Sequence, residues 1–149
     1  MNLFISITPF NKKNKYIDHL RMLGCKVSFN ETKKKIKLNS LKKKIVDCDF
    51  LLAGTENLTE DILSPAKNLK LIARAGVGID SVDQKYLKKK GIFLTNVQKG
   101  LDDSVAQLVL SYILQDLRDI NLHTKEIKKG LWLRHIGSNI SEKKIGIIG

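Results

Sequence analysis

The stretch Leu71-Ile72-Ala73-Arg74-Ala75-Gly76-Val77-Gly78-Ile79-Asp80 reads as a strand that runs into a glycine-containing turn and opens a helix. Leu69 to Ala73 is a short apolar run of the kind that forms a buried strand. Gly76 and Gly78 let the main chain approach an anion closely, and the unpaired N–H groups at a helix start favour negative charge. Arg74 either adds a fork of donors or holds the turn. A small carboxylate suits such a place. On spacing alone, the same glycines equally make a plain tight connection. Beyond the turn, Asp80 is placed to cap a helix carrying Val82, Tyr86 and Leu87. Lys88 to Lys90 then lie at its negative end, and Gly91 is the stop.

The same alternation extends in both directions. Upstream, Leu3 to Ile7 reads as a strand, and Tyr16, Leu20 and Leu23 set a helix that stops at Gly24. Cys25 to Phe29 is a second strand, and Leu38, Leu41 and Ile45 form a short amphipathic helix under lysines. Phe50 to Ala53 is a third strand, and Thr59 starts a short helix that ends near Pro65. Downstream, Ile92 to Leu94 is a fifth. Strands alternating with helices at short spacing imply parallel pairing through right-handed crossovers, hence an α/β, doubly wound open sheet. Ligands of such sheets sit beyond the carboxyl ends of the strands. Here those ends are the turns at Thr8-Pro9, Gly54-Thr55-Glu56, Ala75 to Gly78 and Asn96 to Gly100.

Past Gly100 the texture changes. Val105, Val109, Tyr112, Ile113, Leu117 and Ile120 predict one long helix from Asp102 to about Lys129. Leu108, Leu110 and Leu114 widen its apolar stripe beyond one face, so it should pack on a second domain or a twin subunit. Gly130 ends it, Ser138 to Lys144 reads as a loop, and Ile145 to Gly149 begins a new buried strand. That strand and Gly149 have the form of the opening of a Gly-x-Gly-x-x-Gly turn. The expected organisation is a doubly wound unit over residues 1–100, followed by a long helix and a new strand that opens a dinucleotide-type turn over 101–149.

Composition narrows the classes. No apolar run approaches the ~20 residues that cross a bilayer, and the N-terminus lacks a signal-peptide pattern, so the cytoplasm is the expected compartment. Cys25 and Cys48 lack metal-knuckle or redox spacing and read as buried small hydrophobes. The formal net charge of +12 comes mostly from scattered lysine runs with no interleaved aromatics. A solvated surface fits that pattern better than a nucleic-acid interface.

Taken in order, Leu51 to Glu56, Ala73 to Asp83, Asn96 to Leu108, Gly130-Leu131-Trp132 and Gly146 to Gly149 resemble the D-isomer-specific 2-hydroxyacid dehydrogenase family, the phosphoglycerate dehydrogenases above all. The likeness covers Phe50 to Gly149 closely and the earlier part by strand–helix order. It implies a flavodoxin-like substrate domain interrupted by a Rossmann domain that binds NAD. It also implies that the turn of Arg74, Ala75, Gly76, Val77 and Gly78 offers main-chain N–H groups to the carboxylate of a small 2-hydroxy or 2-oxo acid, with Gly76 and Val77 nearest. Asn96 would stand beside the cleft. Val77 and Ser104 would lie near the cofactor, Gly149 would begin its turn, and the long helix would join a homodimer.

The family's hydride-transfer residues, an arginine, a glutamate and a histidine, lie downstream of the cofactor loop. None is therefore placed in this chain, and His19, His123 and His135 read as surface or packing residues. The expectation is an N-terminal fragment of an NAD-dependent oxidoreductase, inactive alone. Two positions depart from the family pattern: Gln107 stands where glutamate is usual, and Gln98 where proline is common. Glu56 borders the cleft, yet its charge would repel an acid. A rival is a freestanding flavodoxin-like binding or signalling module. Against it, Thr8-Pro9-Phe10 and Ala53-Gly54-Thr55 occupy the places where a phospho-receiver needs acidic residues.

Overall fold

The computed structural model describes residues 1–148. The chain forms two compact units, Met1–Lys99 and Gly100–Gly149. In the first unit, β1 (Asn2–Ile5), α1 (Lys15–Met22), β2 (Lys26–Phe29), α2 (Leu38–Lys44), β3 (Phe50–Ala53), α3 (Glu60–Leu63), β4 (Leu71–Arg74), α4 (Gln84–Lys90) and β5 (Phe93–Asn96) alternate along the chain. The strands make one sheet in the order β2-β1-β3-β4-β5, every pairing parallel. That is the flavodoxin-like order, in which the chain reverses direction across the sheet beside β1.

Strand alternation divides the core. Phe4, Leu51 and Ile72 point to one face and pack with Leu41, Ile45, Ile62, Leu63, Tyr86 and Leu87 from α2, α3 and α4. Leu3 and Ile5 point to the other, where Ile17 of α1 and Cys25 are buried with them. Both cysteines are free and buried, as expected. At the amino edge Asp49 binds neighbouring strand starts together. It accepts from the Asn2 N–H at 2.8 Å and from Lys70 Nζ at 2.9 Å, while its own N–H donates to the Asn2 carbonyl. The lysine bond and the Asn2 amide hold the Asp49 carboxyl below its ordinary range.

Several boundaries differ from the sequence reading. In α1 the side chain of Asn14 caps the N–H groups of Tyr16 and Ile17, and this phase buries Ile17 while Tyr16 and Leu23 stay exposed. Asp83, not Asp80, caps α4 by accepting from Tyr86 N–H at 3.0 Å. The cause is Leu58. Its N–H donates to the Ser81 carbonyl and its carbonyl accepts from Asp83, so residues 81–83 are held as a bridge and the helix starts later.

In the second unit the single long helix is broken into α5 (Asp102–Leu117) and α6 (Ile120–Ile127). Asp119 lies between them at φ 50°, a left-handed conformation that aspartate tolerates better than most residues and that ends the helical path. Gly130 at φ 76° then turns the chain, and Ile140–Glu142 makes one 3-10 turn. α5 buries none of its residues, leaving Val105, Leu108, Val109, Leu110, Tyr112 and Leu114 exposed. Residues 145–148 form no strand and are exposed, in place of the expected buried strand. A strand needs backbone partners, and among the described residues none lies alongside. Gly149 falls outside the described residues. No described helix is long and apolar enough to cross a membrane.

Candidate functional site

The strand-to-helix turn sits at the carboxyl edge of the sheet, where β4 and β5 end side by side with Arg74 paired to Asn96. Ala75 N–H donates to the Ala53 carbonyl at 2.9 Å, fixing the turn to β3, and Val97 N–H donates to the Gly76 carbonyl at 3.1 Å, fixing it to β5. Gly76 spends its own N–H on the Arg74 carbonyl at 2.9 Å. The N–H groups of Val77 and Gly78 have no acceptor among the described residues, and both residues are exposed. Two adjacent free donors on an exposed turn, held from both sides, could serve as a cradle for a small anion.

Arg74 closes one side. Its guanidinium folds over Gly76 so closely that a β-carbon there would come within 2.5 Å of Nη1. Gly76 is therefore needed for close approach rather than for a left-handed backbone. Arg74 Nε is buried without an acceptor, and the charge stays beside the cradle. Asn96 Nδ2 donates to the Val77 carbonyl at 2.6 Å. Its Oδ1 accepts from Gln98 Nε2, which fixes the orientation of the amide. The sequence presented Gln98 only as a departure from the family pattern. Its bond to Asn96 gives it a positioning role, and only the spacing of two residues from Asn96 hinted at it.

A cavity of about 170 Å³ adjoins the turn, lined by Ser6, Thr8, Lys35, Gly54, Glu56 and Ala75. Lys35 Nζ donates to the Thr55 carbonyl across it at 2.7 Å. Glu56 is buried over Gly54, with Oε2 lacking a partner among the described residues. A larger hollow of about 490 Å³ lies over β2 between Asn30 and Lys44 and contains none of the turn residues.

The structure thus brings Arg74, Ala75, Gly76, Val77, Gly78 and Asn96 together. Ser104 is exposed on the first turn of α5, in the other unit. His19 is exposed on α1, and His123 and His135 belong to the second unit. A dinucleotide's pyrophosphate needs a strand, a glycine turn and a helix start. Residues 145–148 supply none of these among the described residues, so they do not by themselves make an NAD site.

Comparison with known proteins gives the family. The family model for the D-isomer specific 2-hydroxyacid dehydrogenase catalytic domain matches residues 7–142. The hydroxypyruvate reductase of Thermotoga maritima is 33% identical over 132 residues, 87% of this chain and 43% of that protein. The D-3-phosphoglycerate dehydrogenase of Methanocaldococcus jannaschii is 37% identical over 113 residues, 73% of this chain and 21% of that protein. Among solved structures, the D-lactate dehydrogenase of Aquifex aeolicus, complexed with NAD and lactic acid, matches with a TM-score of 0.66 at 29% identity. That match covers 91% of this chain and 39% of the other. The chain spans less than half the length of these relatives. A parallel sheet in the flavodoxin-like order, a glycine turn with free donors at its carboxyl edge and a family match running through both place this chain in the D-isomer-specific 2-hydroxyacid dehydrogenase family.

Proposed function

We propose that the chain supplies the acid-binding part of a phosphoglycerate-dehydrogenase-like oxidoreductase that interconverts a D-2-hydroxy acid and its 2-oxo acid with NAD. The observation that carries this reading is the pair of free N–H groups on Val77 and Gly78, beside the Arg74 guanidinium and braced by Asn96. Charge-assisted bonds from two main-chain donors hold a carboxylate in a fixed orientation, and the nearby cation lowers the cost of bringing an anion to the turn. The 170 Å³ cavity beside Ala75 has room for the remainder of a small acid. Within this reading Val77 lies near the cofactor, which other residues mainly bind.

Arg74, Ala75, Gly76, Val77, Gly78 and Asn96 bind and orient, but none of them offers a general acid or base at neutral pH. Within this reading the turn holds the acid without itself turning it over. Calorimetric titration with D-lactate and pyruvate tests the reading. Saturable binding of one acid per chain that survives moderate salt supports it. Heat that vanishes with salt, as expected from the lysine surface alone, contradicts it.

The exposed stripe of α5, Val105, Leu108, Val109 and Tyr112, favours a second copy of the chain as its cover. We accordingly propose a homodimer through this helix, in the cytoplasm, where Cys25 and Cys48 remain reduced. Sedimentation checks the dimer. Val109→Glu should shift the chain toward monomer, and a wild type that is already monodisperse and monomeric rules the proposal out.

A further inference from the structure

We propose that His123, Glu126 and His135 form a binding site for one divalent transition-metal ion of the zinc type. His123 and Glu126 are three residues apart on α6 and so share a face of the helix. Gly130 reverses the chain, its N–H donating to the Ile127 carbonyl and that of Leu131 to the Glu126 carbonyl, which returns the segment carrying His135 over that face. One donor atom from each of the three residues lies within 4.8 Å of the other two. Glu126 Oε2 and His135 Nε2 are 2.7 Å apart, and the two imidazoles meet edge to face with centroids 5.1 Å apart. All three residues are half-buried, so water competes less for the donors than it would on an open surface.

The donor set selects the ion. Two imidazole nitrogens and one carboxylate oxygen suit zinc and its neighbours, whereas calcium and magnesium take oxygen ligands. In a tetrahedral zinc site, bonds of about 2.0–2.1 Å set neighbouring donors roughly 3.3 Å apart. Glu126 and His135 are already closer than that, and the ion would replace the proton that joins them. His123 holds a donor atom within 4.8 Å of both. It also lines a hollow of about 430 Å³ with Ile127, Trp132, Leu133 and Arg134. That hollow leaves room for water as a fourth ligand. The Arg134 cation beside it disfavours a weakly held ion and favours an anionic fourth ligand such as hydroxide.

The site is independent of the acid-binding turn, and its test reads metal directly. The 149-residue chain, stripped with chelator, is titrated with zinc chloride by calorimetry and with nickel chloride by quenching of Trp132, the sole tryptophan. One ion per chain is expected. His123→Ala and His135→Ala should each weaken uptake at least about tenfold, while His19→Ala leaves it unchanged. Glu126→Gln keeps the side-chain shape and a hydrogen-bonding oxygen but removes the charge, so it should weaken zinc uptake without unfolding α6. Absence of saturable zinc uptake by the wild-type chain overturns the site. So does wild-type affinity in either His135→Ala or Glu126→Gln, which would leave a plain Glu126–His135 hydrogen bond.

Discussion

The side-chain amide of Asn96 donates to the carbonyl of Val77 at 2.6 Å, tying the last residue of β5 to the turn that leaves β4. The bond turns the Val77–Gly78 peptide so that its carbonyl is occupied, while the Val77 and Gly78 N–H groups stay free. Asn96→Ala removes this brace. An exposed bond of this kind contributes at most about 1 kcal/mol to stability, so thermal melting should change little. Affinity for a 2-hydroxy acid should fall at least about tenfold, as expected when a preorganised donor pair becomes mobile. Calorimetry beside a melting curve separates the two effects.

Gly76→Ala should behave similarly for a different reason. A β-carbon at Gly76 collides with the Arg74 guanidinium, which is the far end of a flexible side chain and can swing aside. The fold should survive with a stability change under about 1 kcal/mol, within the usual range for a surface site. Acid binding should weaken because the cation leaves the turn. A crystal structure of the variant should show Arg74 in a new rotamer. An unmoved Arg74 with unimpaired binding contradicts the role assigned to it.

At the opposite edge of the sheet, Asp49 makes stability depend on pH. Its folded-state pKa is lowered, first by the hydrogen bond from Lys70 and next by the Asn2 N–H. A depressed carboxyl stabilises the fold above its ordinary value of 3.8, and that contribution disappears as pH falls through the lower folded value. Lys70→Met removes the largest cause. The variant should melt below the wild type at neutral pH, and the gap should close in acid. Melting curves across that range check it, and a gap that widens in acid would have the wrong sign.

Cys48 is buried at 5% exposure, and burial, followed by the charges of Asp47 and Asp49, pushes its thiol up from the ordinary value. The thiolate is the reactive form. Iodoacetamide should therefore leave Cys48 unmodified in the folded chain at neutral pH and label it quickly in urea, with mass spectrometry as the readout.

The strands were legible because they are short apolar runs, or in β2 an alternation of polar and apolar residues, bounded by turn residues, and parallel order followed from the intervening helices. The turn was equally plain, since Gly76 and Gly78 with Arg74 stand out in any reading. Helix phase and helix ends were less so. Tyr16 and Ile17 both fit an apolar stripe, and only the Asn14 cap decides between them. The shift from Asp80 to Asp83 depends on a long-range bridge to Leu58 that no local pattern announces. The break at Asp119 has neither glycine nor proline to mark it. The commitment of the Gly76 N–H to Arg74 is a matter of turn geometry, which spacing does not encode, and it moves the free donors to Val77 and Gly78.

Site-resolved amide NMR of the isotopically labelled chain, titrated with D-lactate and then with pyruvate in moderate salt, tests the functional reading most directly. The account expects saturable shifts led by the Val77 and Gly78 amides, with Asn96 following through its bond to Val77 and the lysine-rich helices α2 and α4 unmoved. Shifts spread along the lysines, with Val77 and Gly78 silent, would contradict it.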